Sequence, residues 1–164
     1  MANSPTLADN VFQIAYVVPD LHTAIRFFKN KLGVPSFLVL EDVKIQDQTY
    51  LGKPGDYRQS IAFGFCGQIQ IELIQPLAGT SSYSEFLKDH SKGGVQHLGI
   101  MVDSYDAAVA DMKARGFTLV QTGRNRETKF AYFDIDDLAG TLMEVVYLAP
   151  AERAGFEKMR RKEG

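Results

Sequence analysis

Four polar side chains interrupt apolar, strand-like stretches of the sequence, and their types are those that bind a divalent metal ion. They are Gln13 in VFQIAYV, Glu72 in QIQIELIQ, His97 in VQHLGIM and Glu144 in TLMEVVYL. Alternate residues of an extended chain share a side, so Gln13 lies with Val11, Ala15 and Val17, and His97 with Val95, Gly99 and Met101. Glu72 lies with Gln70 and Ile74, and Glu144 with Leu142 and Val146. An ionised carboxylate in an apolar sheet is costly unless a cation or a full set of hydrogen bonds compensates it, and two facing one pocket also repel. A divalent ion resolves both conflicts. Imidazole, carboxylate and amide oxygen are ligands that zinc, nickel, cobalt, manganese or iron accept. Taken singly, each residue has a plainer role, as a hydrogen-bonded structural histidine, an edge-strand carboxylate or an ordinary amide. Their joint placement is what argues for a metal.

That placement follows an internal repeat, which is the first thing to look for in a chain. Residues 12–28 (FQIAYVVPDLHTAIRFF) align without a gap with residues 96–112 (QHLGIMVDSYDAAVADM), at an offset of 84. In each, an apolar strand reaches an acidic residue, Asp20 or Asp103, and passes into a helix. The helical apolar spacing is Leu21, Ile25 and Phe28 in one and Tyr105, Val109 and Met112 in the other. Asp20 and Ser104 suit N-caps, and Gly33 and Gly116 suit left-handed C-terminal caps. Residues 58–65 and 68–75 read as a strand pair turning at Cys66-Gly67; residues 128–135 and 141–148 repeat it, joined by Asp136 to Gly140. Ser36 to Val43 reads as a strand, while Gly52, Pro54 and Gly55 mark a loop. The expected fold class is α+β. Its parts are an N-terminal extension (1–10), a first β-α-β-β-β module (11–78), a linking helix and hinge (79–94), a second β-α-β-β-β module (95–149) and a C-terminal tail helix (150–164).

Composition narrows the function. The 164 residues are 45% apolar and 23% charged, enough for one compact domain or two small modules sharing a core. The formal charge is −2 and the body of the chain holds no basic patch, which argues against nucleic acid held by phosphate neutralisation. The basic run Lys158 to Lys162 reads as a solvated helix end. Cys66 is the only cysteine, so neither an intrachain disulfide nor a multi-thiolate metal site is possible, and a reducing compartment suits the chain. Met1 to Asn10 lacks the pattern of a signal peptide, and no stretch approaches the roughly 18 apolar residues of a membrane span. The expectation is a cytoplasmic protein with a small-molecule substrate, and with neither nucleic acid nor membrane as partner.

These segments, with FLKDHSKGGVQHLGIMV and FAYFDIDDLAGTLMEVV, resemble the vicinal oxygen chelate superfamily, which includes glyoxalase I, methylmalonyl-CoA epimerase, extradiol dioxygenases and bleomycin-resistance proteins. The resemblance covers nearly the whole chain to about Pro150. It implies two modules forming a curled mixed sheet around a central pocket, with a divalent metal held by one ligand from the first and one from the last strand of each module. Carried over, those ligands are Gln13, Glu72, His97 and Glu144, the four reached from the strand faces. A homodimer is also implied. The stretch before His97 looks like the epimerase, whose segment carries paired histidines, with Gln96 here in place of the first. That branch has histidine at position 13 and glutamine at position 72. The order Gln, Glu, His, Glu is instead similar to a zinc-type glyoxalase I.

A pocket of mainly oxygen ligands suits Lewis-acid chemistry on a substrate with vicinal oxygens, in which a proton leaves the carbon beside a carbonyl and an enolate forms. Glu144 is the first candidate for a ligand that also moves the proton, and Glu72 the second. The expected class is a lyase or isomerase of the glyoxalase I or methylmalonyl-CoA epimerase type. A metal-free ligand-binding or resistance-type protein is the alternative. An extradiol dioxygenase is disfavoured, because two histidines are needed and one is present among the four. Glu41 stands where the epimerase branch keeps a base, although a solvent-facing carboxylate is the plainer reading. His22 and His90 read as exposed helix histidines, and Arg58, Ser60, Arg124 and Lys129 as surface groups that an anion could meet. Phe63, Phe65, Phe130, Tyr132 and Phe133 read as pocket lining or core.

Overall fold

The computed structural model describes residues 11–135 and 141–163. The expected N-terminal extension and the turn expected at Asp136 to Gly140 lie outside the described residues. In chain order the elements are β1 (Val11–Val17), α1 (Leu21–Leu32), β2 (Leu38–Lys44), β3 (Gln46–Tyr50), β4 (Lys53–Pro54), β5 (Arg58–Cys66), β6 (Ile69–Ala78), α2 (Ser82–Asp89), β7 (Gly94–Met101), α3 (Tyr105–Ala114), β8 (Thr118–Asn125), β9 (Thr128–Asp134), β10 (Leu142–Tyr147) and α4 (Pro150–Glu163).

Helix starts follow side-chain chemistry. Asp20 accepts from Thr23 N at 2.6 Å and Ser104 from Ala107 N at 3.4 Å, each satisfying an amide that has no partner inside the first turn. Helix α2 opens with a capping box, Ser81 accepting from Ser84 N while Ser84 Oγ accepts from Ser81 N. At its end α1 meets Gly33 at φ 75, whereas α3 is closed by right-handed Arg115, with Gly116 following at φ 90.

All ten strands join one curled sheet in the order β2-β5-β6-β1-β7-β10-β9-β8-β3-β4. Outwards from its centre, β1, β6, β5 and β2 match β7, β10, β9 and β8. The two first strands meet antiparallel at the centre, and each runs parallel to the last strand of its own half, β6 or β10. Helices α1 and α3 cover one face. Leu21 and Phe28 pack with Ala62, Ile71 and Leu73, and Ala108 and Met112 with Phe133, Met143 and Val145. The opposite face gathers Val17, Ile61, Ile74, Phe130 and Tyr132 against Tyr83 of α2, with Ile45 and Tyr57 beside them.

The segment expected to be a loop around Gly52 is a hairpin. β3 and β4 pair across Tyr50 and Lys53, and β3 crosses to the other half to pair with β8. Leu51 and Gly52 both have positive φ, 49 and 76, the twist a two-residue hairpin turn requires. Leucine is an unusual first residue there, which is why the turn does not announce itself in the sequence. Among the described residues no helix is long and apolar enough to cross a membrane.

Asp20→Ala should lower the stability of the fold, and Asp20→Asn by much less, since only alanine removes the capping oxygen. Urea denaturation, with a shifted midpoint and an unaltered slope, measures it. Equal stability of Asp20→Ala and the parent would mean that the cap contributes nothing.

Candidate metal centre

Two adjacent rungs of the sheet carry the polar residues. In one, Glu72 of β6, Ala15 of β1, His97 of β7 and Leu142 of β10 are successive Cα partners. In the other the partners are Gln70, Gln13, Gly99 and Glu144, and this rung continues through Tyr132 of β9 and Gln121 of β8 to Tyr50 of β3. Between the polar positions stand two small residues, Ala15 and Gly99, themselves 84 apart in sequence. A Cβ on Gly99 would lie 2.6 Å from Gln13 Oε1, so the amide oxygen occupies space that a side chain would take.

The ligand atoms of Glu72, His97 and Glu144 lie within 4.8 Å of one another, a group that could hold a metal ion. His97 Nε2 is 3.3 Å from Glu72 Oε2 and 3.4 Å from Glu144 Oε2. His97 is 0% exposed, Gln13 3%, Glu144 5% and Glu72 6%. Among the described residues, Gln13 Oε1, Glu72 Oε2, His97 Nε2 and Glu144 Oε2 are all buried without a hydrogen-bond partner. Buried polar atoms are almost always paired. Here all four residues leave one ligand-type atom over, and that donor set fits a divalent ion bound by oxygen and imidazole nitrogen.

Neighbouring amides select which atom is left over. Gln13 Nε2 donates to Gln70 Oε1 at 2.8 Å, leaving Gln13 Oε1 as the free end. His97 Nδ1 lies 2.6 Å from Gln96 Oε1; an amide oxygen only accepts, so Nδ1 carries the proton and Nε2 is the ligand nitrogen of the neutral ring. Adjacent strand residues normally point to opposite faces, and a bulge lets Gln96 reach the ring. Ala15 opposes His97 and Tyr16 opposes Val95, so Gln96 is the extra residue. The register also shifts by one at Phe12, between the Val11–Ile100 and Gln13–Gly99 pairs. Each first strand thus carries an irregularity just before its polar residue.

Burial raises the pKa of Glu72, and the nearby Glu144 charge adds to this, while His97 pulls the other way. For His97, burial alone would lower the pKa, but the Glu144 and Glu72 carboxylates 3.4 and 3.3 Å from Nε2 push it up to about 9. The Tyr132 ring meets His97 edge-on with centroids 4.7 Å apart, and its hydroxyl lies 2.8 Å from that of Tyr83. Burial lifts both phenols well above their usual range, so they stay protonated.

The other residues singled out in the sequence lie elsewhere. Glu41 pairs with His22 at 2.8 Å, accepts from Ser60 Oγ at 2.9 Å and leaves its side chain 56% exposed. His90 stacks on Phe86. Arg58 pairs with Asp42, Arg124 with Asp47, and Lys129 lies over the Tyr105 ring. Phe65, Phe130, Tyr132 and Phe133 are core, Phe133 on the face covered by α3 and Phe63 partly buried against the opposite cluster. Sequence reasoning missed the orienting roles of Gln70 and Gln96. Gln70 was visible on the Glu72 face, whereas the bulge that recruits Gln96 leaves no mark in the residue pattern.

Comparison with known proteins agrees with this architecture. The model of the Glyoxalase/Bleomycin resistance protein/Dioxygenase superfamily matches residues 12–133. Human mitochondrial methylmalonyl-CoA epimerase is 34% identical over 102 residues, 62% of this chain and 51% of that protein. The ethylmalonyl-CoA/methylmalonyl-CoA epimerase of Cereibacter sphaeroides is 28% identical over 110 residues, 67% of this chain and 73% of that one. The chain thus spans about half the length of the mammalian relatives it matches. Among solved structures, methylmalonyl-CoA epimerase from Mycobacterium tuberculosis superposes with a TM-score of 0.65 at 25% identity, covering 94% of this chain and 96% of that one. A methylmalonyl-CoA epimerase in complex with methylmalonyl-CoA and NH4+ shares the fold at 20% identity, with a TM-score of 0.60 and coverage of 87% and 96%.

Two outcomes are expected of the centre. Gly99→Ala places a methyl against Gln13 Oε1 and should weaken zinc binding by about tenfold or more while the protein stays folded; isothermal titration and circular dichroism check this. In metal-free protein, His97 has a folded pKa of about 9, above its usual 6.5. Its stabilisation is complete below about 6.5 and is lost as pH rises through about 9, and the raised Glu72 acts in the same direction. The melting temperature of the metal-free protein should therefore fall between those values, and saturating zinc should remove the fall. A pH-independent melting curve without metal would reject this electrostatic account.

Proposed function

The chain belongs to the Glyoxalase/Bleomycin resistance protein/Dioxygenase superfamily, and we propose that within it the protein is a metal-dependent isomerase that epimerises a short 2-carboxyacyl thioester by moving the proton on the carbon between two carbonyl groups. The observation that carries this reading is the buried group of Glu72, His97 and Glu144, whose ligand atoms lie within 4.8 Å of one another, with Gln13 Oε1 buried and without a hydrogen-bond partner on the adjacent rung. The similarity to epimerases of methylmalonyl-CoA supports the choice of substrate class. The reading also takes 11–78 and 95–149 as duplicated modules sharing one centre. It takes the protein to be cytoplasmic and a homodimer, on the grounds given by the sequence and the family resemblance.

In this proposal Gln13 Oε1, Glu72 Oε2, His97 Nε2 and Glu144 Oε2 hold a divalent ion such as zinc, nickel, cobalt, manganese or iron. When bound, the ion would supply Lewis-acid stabilisation of the negative charge that develops on a carbonyl oxygen as the adjacent proton leaves. Everything else falls to the chain. Gln70 and Gln96 hold the amide and imidazole in the orientation the ligands need. The apolar cluster of Val17, Ile61, Ile74 and Phe130 keeps water from the face on which the proton moves. Glu144 and Glu72 are the groups able to accept the proton and return it to either side of the carbon.

A metal-free binding role is the second reading, and the His97 pKa gives it a foothold. An imidazolium would neutralise one carboxylate without any metal. The second carboxylate would then depend on Glu72 taking a proton, which its raised pKa favours, so the amount of metal bound by protein purified without chelator separates the two readings. A dioxygenase remains disfavoured, with one histidine among the four.

Methylmalonyl-CoA incubated with zinc- or cobalt-loaded protein in deuterium oxide should incorporate deuterium at C2, read by proton NMR against a protein-free control. Glu144→Gln and Glu72→Gln should each slow this by about 10²–10⁴-fold, the range for loss of a positioned acid or base. Incorporation at the control rate with metal-loaded parent protein would remove the isomerase reading. Parent-like rates in both variants would remove the assignment of the base.

A further inference from the structure

The rung that carries Glu144 continues through Tyr132 to Gln121, two strands further out. Gln121 is 0% exposed and lies on the face of the metal centre, since its partner Tyr132 packs there against His97 and Tyr83. Its Oε1 accepts from Ser82 N at 2.8 Å, at the N-terminus of α2. That bond fixes the amide and leaves Nε2 buried without a hydrogen-bond partner among the described residues. Ser82 Oγ, on the residue that makes the bond, is buried and unpartnered as well, with Ser82 7% exposed. Two buried groups able to donate therefore sit on the two residues that this bond joins, with Gln121 roughly two strand spacings, about 10 Å, along the sheet from Glu144.

We propose that Gln121 Nε2 and Ser82 Oγ form a subsite that receives a neutral carbonyl oxygen of the substrate, the amide on the thiol arm a few bonds beyond the thioester sulfur. This rests on the thioester reading of the metal centre. The acceptor is neutral because neither donor carries a charge that would offset the cost of burying an anion. It belongs to the thiol arm because the acyl end would be held at the four ligands, and a short acyl group does not extend over two strands. The subsite thus selects thioesters whose thiol carries an amide near the sulfur over plain alkyl thioesters. Binding the arm also satisfies two atoms that burial otherwise leaves unpaired, a strong source of discrimination.

The test compares two probes on the zinc-loaded full chain by isothermal titration. One is the malonyl thioester of N-acetylcysteamine, which has the amide; the other is the malonyl thioester of pentanethiol, which lacks it. The parent should bind the amide probe about tenfold more tightly, the scale of one or two hydrogen bonds. In Ser82→Ala and Gln121→Glu that ratio should fall towards one. Gln121→Glu retains an oxygen for Ser82 N, so a merely structural Gln121 would leave the ratio intact, and thermal melting confirms that each variant is folded. Equal binding of the two probes by the parent, a ratio that survives both substitutions, or no binding of either probe would overturn the proposal. Amide-dependent binding without deuterium exchange into methylmalonyl-CoA would instead sink the isomerase reading and leave the subsite in place.

Discussion

Two carboxylates and an imidazole are sealed together at the centre of the sheet, and the rest of the structure is arranged around the cost of keeping them there. His97 is fully buried and its Nε2 lies between Glu72 and Glu144. Without a cation, the carboxylates are compensated by a proton on histidine and by the raised pKa of buried Glu72, which favours its neutral form. The pKa of His97 rises to about 9 for this reason, against the opposing pull of burial. A divalent ion cancels both carboxylates and lets histidine return to its neutral, ligating form. The fold is built to be completed.

The matching strand order of the two halves explains how one chain brings Glu72, His97 and Glu144 together with Gln13 on the adjacent rung. Each half contributes its first and last strand, and the two first strands meet antiparallel at the centre. Equivalent residues therefore fall on adjacent rungs, with Ala15 and Gly99 leaving room between them. The irregularities at Phe12 and Gln96 lie at equivalent places, but the two halves use them differently. Gln96 orients His97 by a hydrogen bond, whereas Phe12 packs against Phe156 of α4. Gln13 takes its orientation from Gln70 on the neighbouring strand instead. The hairpin of β3 and β4 breaks the symmetry further, because only the first half carries it and it pairs across to β8.

Much of this was legible from residue types. Alternation placed Gln13, Glu72, His97 and Glu144 on coherent faces; the offset of 84 paired Gln13 with His97, and the matching last strands paired Glu72 with Glu144 before any coordinates. The caps at Asp20 and Ser104 were readable because short oxygen-bearing side chains before an apolar run have few other uses. The hairpin was not readable, since Leu51 hides a turn that asparagine or aspartate would have advertised, and its partner strand lies about 70 residues away along the chain. Long-range pairing of that kind is set by tertiary closure. Nor was the bulge at Gln96 visible, because a bulge is a property of two strands in register, and one strand's sequence carries only half of it.

Charge balance offers a reason for the mixed ligand set. With Gln13 and His97 neutral and two glutamates ionised, a bound divalent ion leaves the centre without net charge. Negative charge that builds up on a substrate then meets no prior excess of the same sign, and the surrounding donors can respond to it. Tyr83 and Tyr132 remain protonated because burial and the nearby carboxylates oppose their ionisation. They contribute oriented dipoles and add no charge.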